Sequence, residues 1–142
     1  MDKPKVKIVI TDNNKDFCNI LNEYLSCQED IVVTGIANDG VKALKLIEEK
    51  RPDLVLLDII MPIMDGLDVL ERLNTIYLYP VPRIIVLSAI SQNKTIQRAI
   101  SLGAGDYVVK PFNIEELIEK IRQMLNSTTC DNISKQINNI IA

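Results

Sequence analysis

The chain has 142 residues, with 16 Lys and Arg against 19 Asp and Glu, a net charge of −3 and no histidine. That length fits one domain of roughly 100–200 residues, and a content of 47% hydrophobic and 25% charged residues is that of an ordinary globular protein. Within these residues the missing histidine excludes Ser-His-Asp and Cys-His catalysis, histidine-bound zinc and any phosphohistidine, and the acidic balance argues against a grip on nucleic acid.

Hydrophobic periodicity alternates between two kinds of segment. Val6, Ile8, Val9 and Ile10 form a β-branched run that closes on Thr11-Asp12. Phe17, Ile20, Leu21, Tyr24 and Leu25 then recur at helical spacing. Ile31 to Ala37 is strand-like again, and Val41, Leu44 and Ile47 make the stripe of a second helix ending before Arg51-Pro52. Leu54-Val55-Leu56-Leu57 is an unbroken apolar run closing on Asp58. A Pro- and Gly-containing loop follows, and Leu67, Leu70 and Leu73 predict a third helix.

Ile84-Ile85-Val86-Leu87 reads as a strand ending at Ser88. A fourth helix is expected from Ser91 to Leu102, with a short stripe of Ile96, Ala99 and Ile100 and a C-terminal cap at Gly103. Asp106-Tyr107-Val108-Val109 is the last strand. Asn113 to Leu125 is the clearest helix, with Ile114, Leu117, Ile118, Ile121 and Leu125 on one side and Asn113 with Glu116 as a capping-box variant. Residues 1–125 are thus expected to form one domain. Asn126 to Ala142 reads as a polar linker followed by Ile133, Ile137, Ile140 and Ile141 at helical offsets, the start of a truncated second domain. An exposed isoleucine stripe favours a fragment boundary over a natural terminus.

Cys18, Cys27 and Cys130 are odd in number and lack metal-ligand spacing, so thiols in a reducing cytosol are expected. Met1-Asp2-Lys3-Pro4-Lys5 has no signal-peptide character, and no apolar run approaches the roughly 18 residues of a membrane span. The expectation is a soluble, cytoplasmic chain that touches neither membrane nor nucleic acid.

Five βα units predict an α/β fold, a parallel sheet with helices on both faces. In open sheets of this kind ligands sit beyond the carboxyl ends of the strands, which directs attention to Asp12, Asp58, Ser88 and Lys110. Singly, each has a plain structural reading. Asp12 or Ser88 could cap a helix, Asp58 could mark where a strand meets water, and Lys110 could be a surface lysine; Asp65-Gly66 reads as a turn and helix start. Together they converge, because the fold brings two carboxylates, a hydroxyl and an ammonium to one edge. Clustered carboxylates repel by about 1–4 kcal/mol at contact, so a cation is expected among them. All-oxygen ligands with open positions favour Mg²⁺. Metal, ammonium and hydroxyl together meet the three equatorial oxygens of a phosphoryl group, with Asp58 as the nucleophile.

Asp58-Ile59-Ile60-Met61-Pro62-Ile63-Met64-Asp65-Gly66 resembles the D-x-x-M-P-x-x-D-G signature of response-regulator receiver domains. Leu87-Ser88-Ala89 and Lys110-Pro111-Phe112 match that family's later motifs, and the likeness covers about residues 5–125. Val55–Gly66 and Leu70-Glu71-Arg72-Leu73 are similar to the sporulation-initiating regulators of endospore-forming bacteria, and Ile133 to Ile141 resembles the opening helix of their DNA-binding domain.

The resemblance implies a flavodoxin-like, doubly wound (βα)5 sheet of five parallel strands in the order 2-1-3-4-5. It implies a phosphoacceptor rather than an ordinary enzyme. Asp58 would take a phosphoryl group from the phosphohistidine of a histidine phosphotransferase or sensor histidine kinase. Mg²⁺, or another divalent cation such as Mn²⁺ or Ca²⁺, would be held by Asp12, Asn13, Asp58 and the Ile60 backbone carbonyl. Lys110 would pair with the phosphate, Ser88 would shift to hydrogen-bond it, and Tyr107 would follow that shift. A cis peptide bond would precede Pro111. A DNA-binding output domain would follow, and phosphorylation would bring dimerisation.

One departure stands out. The family has two adjacent acids after the first strand, whereas this chain reads Asp12-Asn13. An Asn carbonyl coordinates a hard cation without contributing charge, which predicts weaker Mg²⁺ binding. The competing readings fare worse. A flavodoxin-like electron carrier needs a phosphate loop where Thr11 to Asp16 would repel one, no G-x-G-x-x-G occurs, and an aspartyl-phosphate phosphatase needs an acid where Ile60 stands. The alternative that survives is a pseudo-receiver, a protein-interaction module that takes no phosphate.

Overall fold

The computed structural model describes residues 4–76 and 78–126. Strands and helices alternate as β1 (Val6–Thr11), α1 (Lys15–Ser26), β2 (Ile31–Ala37), α2 (Gly40–Lys50), β3 (Leu54–Leu57), α3 (Gly66–Thr75), β4 (Arg83–Ser88), α4 (Asn93–Ser101), β5 (Asp106–Val109) and α5 (Ile114–Asn126). The strands make one parallel sheet in the order β2-β1-β3-β4-β5, the flavodoxin-like arrangement. Residues up to Phe112 form one compact unit, and α5 belongs to a second that begins at Asn113.

Sheet position explains strand composition. β3 is central and all four of its residues are buried, which an unbroken apolar run permits. Val55 and Leu57 of β3 and Ile84 and Val86 of β4 join Ala43, Leu44 and Ile47 of α2, Val69 and Leu70 of α3 and Ala99 of α4 in one buried cluster. The buried residues of α1, Cys18, Leu21 and Leu25, lie outside that cluster, and α1 contacts β1 and β2. β5 is an edge strand and only half-buried. Pairing of β1 with β2 slips between Ile8 and Val9, leaving Thr34 as the extra residue, and the Thr34 hydroxyl donates to the Ile8 carbonyl at 3.4 Å.

Every strand and helix stands where periodicity placed it, but several apolar stripes do not face inward as expected. In α1, Ile20 is 65% and Tyr24 45% exposed, because Cys18, Leu21 and Leu25 form the buried line. Val41 of α2 and Ile100 of α4 are likewise exposed. α4 starts at Asn93 rather than Ser91, and its N-cap Gln92 makes no side-chain cap bond. Neither Asp12 nor Ser88 caps a helix. The caps are Asn14 for α1, Asp39 for α2 and Asp65 for α3, each accepting from a backbone N–H three residues on. Asn113 accepts from the amides of Glu115 and Glu116 and so starts α5, and Gly103 ends α4 with φ 110°. Asn126, expected to open a linker, is the last residue of α5. The Lys110–Pro111 bond is cis, as is Tyr79–Pro80, which the sequence did not foretell. Cys130 and the Ile133–Ile141 stripe lie outside the described residues.

Candidate functional site

Backbone rungs carry the candidate residues just past the strand ends. The Asp12 amide donates to the Ala37 carbonyl at 3.0 Å, that of Asp58 to Thr11 at 3.0 Å, and that of Lys110 to Ser88 at 2.9 Å. Each residue is thus held in sheet register while its side chain is freed from the strand. Gly66 tightens the loop after β3. A Cβ there would lie 2.3 Å from the Asp58 carbonyl oxygen, so only glycine lets α3 start this close to the acceptor.

Asp12, Asp58 and Lys110 meet. Lys110 Nζ stands 2.5 Å from Asp12 Oδ2 and 3.5 Å from Asp58 Oδ2. Asp12 is 1% and Asp58 6% exposed, so both carboxylates lie in a weakly screened setting. Asp12 Oδ1 accepts the Asn14 amide at 2.9 Å and Asp58 Oδ1 the Ile60 amide at 3.3 Å. Burial, and secondarily the charge of Asp12, push the Asp58 carboxyl above its ordinary pKa, while Lys110 and the Ile60 and Ile59 amides oppose the rise. The site therefore holds two acids against one ammonium.

Ser88 and Tyr107 meet both directly and through a third residue. The Ser88 hydroxyl is fully buried, accepts the Ile90 amide at 3.2 Å, and also faces the Tyr107 phenol, where its hydrogen bond works against the rise in that group's pKa. The Tyr107 hydroxyl donates to the Ile90 carbonyl at 2.6 Å, and burial raises its phenol above the usual range. Ile90 thus ties the end of β4 to the ring on β5. Asn13 is exposed beside Asp12.

Sequence reasoning missed four contributors. Phe17, which periodicity marks only as part of the α1 stripe, lies with its ring centroid 4.3 Å from Lys110 Nζ, a cation–π contact. Phe112 meets Phe17 edge-on at 6.1 Å between centroids. The Asn38 amide donates to the Asp12 carbonyl at 2.8 Å, and the Cys18 thiol donates to the same oxygen at 3.4 Å. Burial and the Asp12 charge push the Cys18 thiol up to about 11, which keeps it protonated and unreactive. Phe112 alone carried a signal, as part of the Lys110-Pro111-Phe112 motif.

Among the described residues no group of three Asp, Glu, Cys or His side chains converges as a metal site. The oxygen donors brought together beside Lys110 are those of the Asp12 and Asp58 carboxylates. They suit a hard divalent cation and supply two negative charges.

The family model described as the response regulator receiver domain matches residues 8–122. Solved structures agree. The signal receiver domain of NarL from Mycobacterium tuberculosis is 29% identical, with a TM-score of 0.80 over 89% of this chain and 100% of that one. A CheY-like receiver domain protein from Methanospirillum hungatei JF-1 is 27% identical, with a TM-score of 0.78 over 87% and 95%. A LuxR-family DNA-binding response regulator from Staphylococcus aureus is 27% identical, with a TM-score of 0.78 over 84% and 98%. Among the described residues no helix is long and apolar enough to cross a membrane.

Proposed function

This chain belongs to the response regulator receiver family, and from that membership we propose that Asp58 accepts a phosphoryl group from a phosphohistidine on a partner protein. Receiver domains are phosphoacceptor signalling domains of two-component systems rather than enzymes in the ordinary sense. One observation carries the proposal. A buried carboxylate, Asp58, shares one ammonium with a second buried acid at the carboxyl edge of the sheet. In the transfer an Asp58 carboxylate oxygen bonds to phosphorus, the donor's P–N bond breaks, and the donor imidazole keeps the electron pair and is protonated. Lys110 balances charge on the incoming phosphoryl oxygens, and Ser88 shifts to donate its hydroxyl hydrogen to one of them. In shifting toward the phosphate, Ser88 would release the amide of Ile90, the residue whose carbonyl Tyr107 holds. That is a local route from added charge to altered packing.

Asp12, Asn13, Asp58 and the Ile60 carbonyl are the residues that would hold Mg²⁺ or a similar divalent cation. When bound, such an ion supplies positive charge against the phosphoryl oxygens. The donor would be a histidine phosphotransferase or a sensor histidine kinase. A cytoplasmic setting, a C-terminal DNA-binding output and dimerisation on phosphorylation complete the reading. So does control of sporulation, which rests on the sequence likeness of Val55–Gly66 and draws no support from the structural relatives. Failure of the full-length protein to restore spore formation in a strain lacking that regulator would remove this last element.

Incubation with acetyl phosphate and Mg²⁺ followed by intact-mass spectrometry tests the proposal. One added phosphate mapping to Asp58 is expected, and none on Asp58→Asn. Undiminished acyl phosphate on Asp58→Asn overturns the assignment. Asn13 in place of an acid favours the second reading, a pseudo-receiver acting by protein contact alone. Failure to form an Mg²⁺-dependent beryllofluoride complex would support it.

A further inference from the structure

The β2–α2 turn, Asn38-Asp39-Gly40, reaches both loops that carry the acids. In a parallel ladder the rung after Asp12 N–H to Ala37 would bring the Asp39 amide to the Asp12 carbonyl. Asp39 instead turns out of the strand to cap α2, its Oδ1 accepting the Lys42 amide at 2.8 Å. The Asn38 side-chain amide takes the vacated rung, 2.8 Å from the Asp12 oxygen. On the same turn Gly40 sits so close to the loop after β3 that a Cβ would lie 2.2 Å from the Met64 carbonyl oxygen. One rigid turn therefore touches the backbone of Asp12 and the loop leading from Asp58 into α3.

We propose that Asn38 is a positioning residue of the phosphoacceptor site. By holding the Asp12 carbonyl it fixes the Asp12–Asn13 peptide, and with it the direction of the Asp12 carboxylate and the place of Asn13. It touches neither phosphate nor cation. The inference rests on reading Asp12, Asn13 and Asp58 as the cation-holding set.

Two variants remove the amide. Asn38→Ala deletes it, and Asn38→Leu keeps the side chain's approximate shape without a donor. Asp39→Ala is the control, since it strips the α2 cap from the same turn and leaves the Asn38 amide. Mg²⁺ affinity is measured by calorimetry without a phosphodonor, and thermal midpoints are recorded beside it. The expected result is a loss of about tenfold in Mg²⁺ affinity for both Asn38 variants, the size usual for a partner that orients a metal ligand. Asp39→Ala should lower the midpoint without that loss. Unchanged affinity in either folded Asn38 variant, an equal loss in Asp39→Ala, or no Mg²⁺ binding by the parent chain overturns the inference. A parent chain that binds Mg²⁺ but takes no phosphate would instead sink the phosphoacceptor reading alone.

Discussion

Asp58 carries a cost that its neighbours only partly offset. Burial raises its folded pKa, so the folded state holds a proton more tightly than the unfolded chain and protonation favours folding. The cost is absent below the ordinary carboxylate pKa of about 3.9 and complete above the raised folded value. Asp58→Asn is neutral at every pH. In EDTA it should therefore melt a few degrees above the parent at pH 7, with the gap closing as pH falls toward 4, and an equal gap at both pH values would contradict this origin. Asn13 offers the complementary change. Asn13→Asp adds a charge beside Asp12 and should tighten Mg²⁺ binding severalfold in a calorimetric titration; an unchanged affinity would take Asn13 out of the cation-holding set. The part of Lys110 was readable from its motif, whereas its contact with Phe17 was not, since nothing local links residues so far apart in the chain.

Elements differ in how well their ends are tied. α1, α2 and α3 each have a side-chain cap, while α4 starts at Gln92 without one. Gln92→Ser supplies the missing acceptor and should stabilise the protein by about 0.5–1 kcal/mol, read as a rise in thermal midpoint. The loop from β3 to α3 stores strain at Ile63, a β-branched residue with φ 70° whose side chain is 83% exposed and gains little by packing. The Met64 amide donates back to the Pro62 carbonyl at 2.7 Å, which makes Ile63 the centre of a strained γ-turn, so Ile63→Gly, with no Cβ to strain, should raise the urea midpoint by an amount equivalent to about 1 kcal/mol. Periodicity found every element here, but not the inward line of α1. Helical spacing relates residues to one another and leaves open which line turns to the sheet. Cys18, weak as a hydrophobic marker, belongs to the buried line, and the more apolar Ile20 does not.

Across the whole molecule the sheet is the frame on which the acids are aligned, and β3 is its centre. Leu57 is fully buried one residue before Asp58 and packs in the cluster shared with α2, α3 and α4. Leu57→Ala should cost about 2–5 kcal/mol, a large share of the roughly 5–15 kcal/mol that holds such a domain together. Urea denaturation would read this as a lowered midpoint with an unchanged slope. By itself the sequence determined the βα alternation, the parallel sheet and the strand-end positions of Asp12, Asp58, Ser88 and Lys110. Continuous apolar runs, turn residues and motif order are local properties that survive without coordinates. Only the tertiary structure decided that one lysine serves two buried carboxylates, that Ile90 joins Ser88 to Tyr107, and that Asn38 completes the ladder at Asp12. Those are contacts between groups on different strands and helices, and their distances follow from how the chain crosses over, which no local pattern encodes.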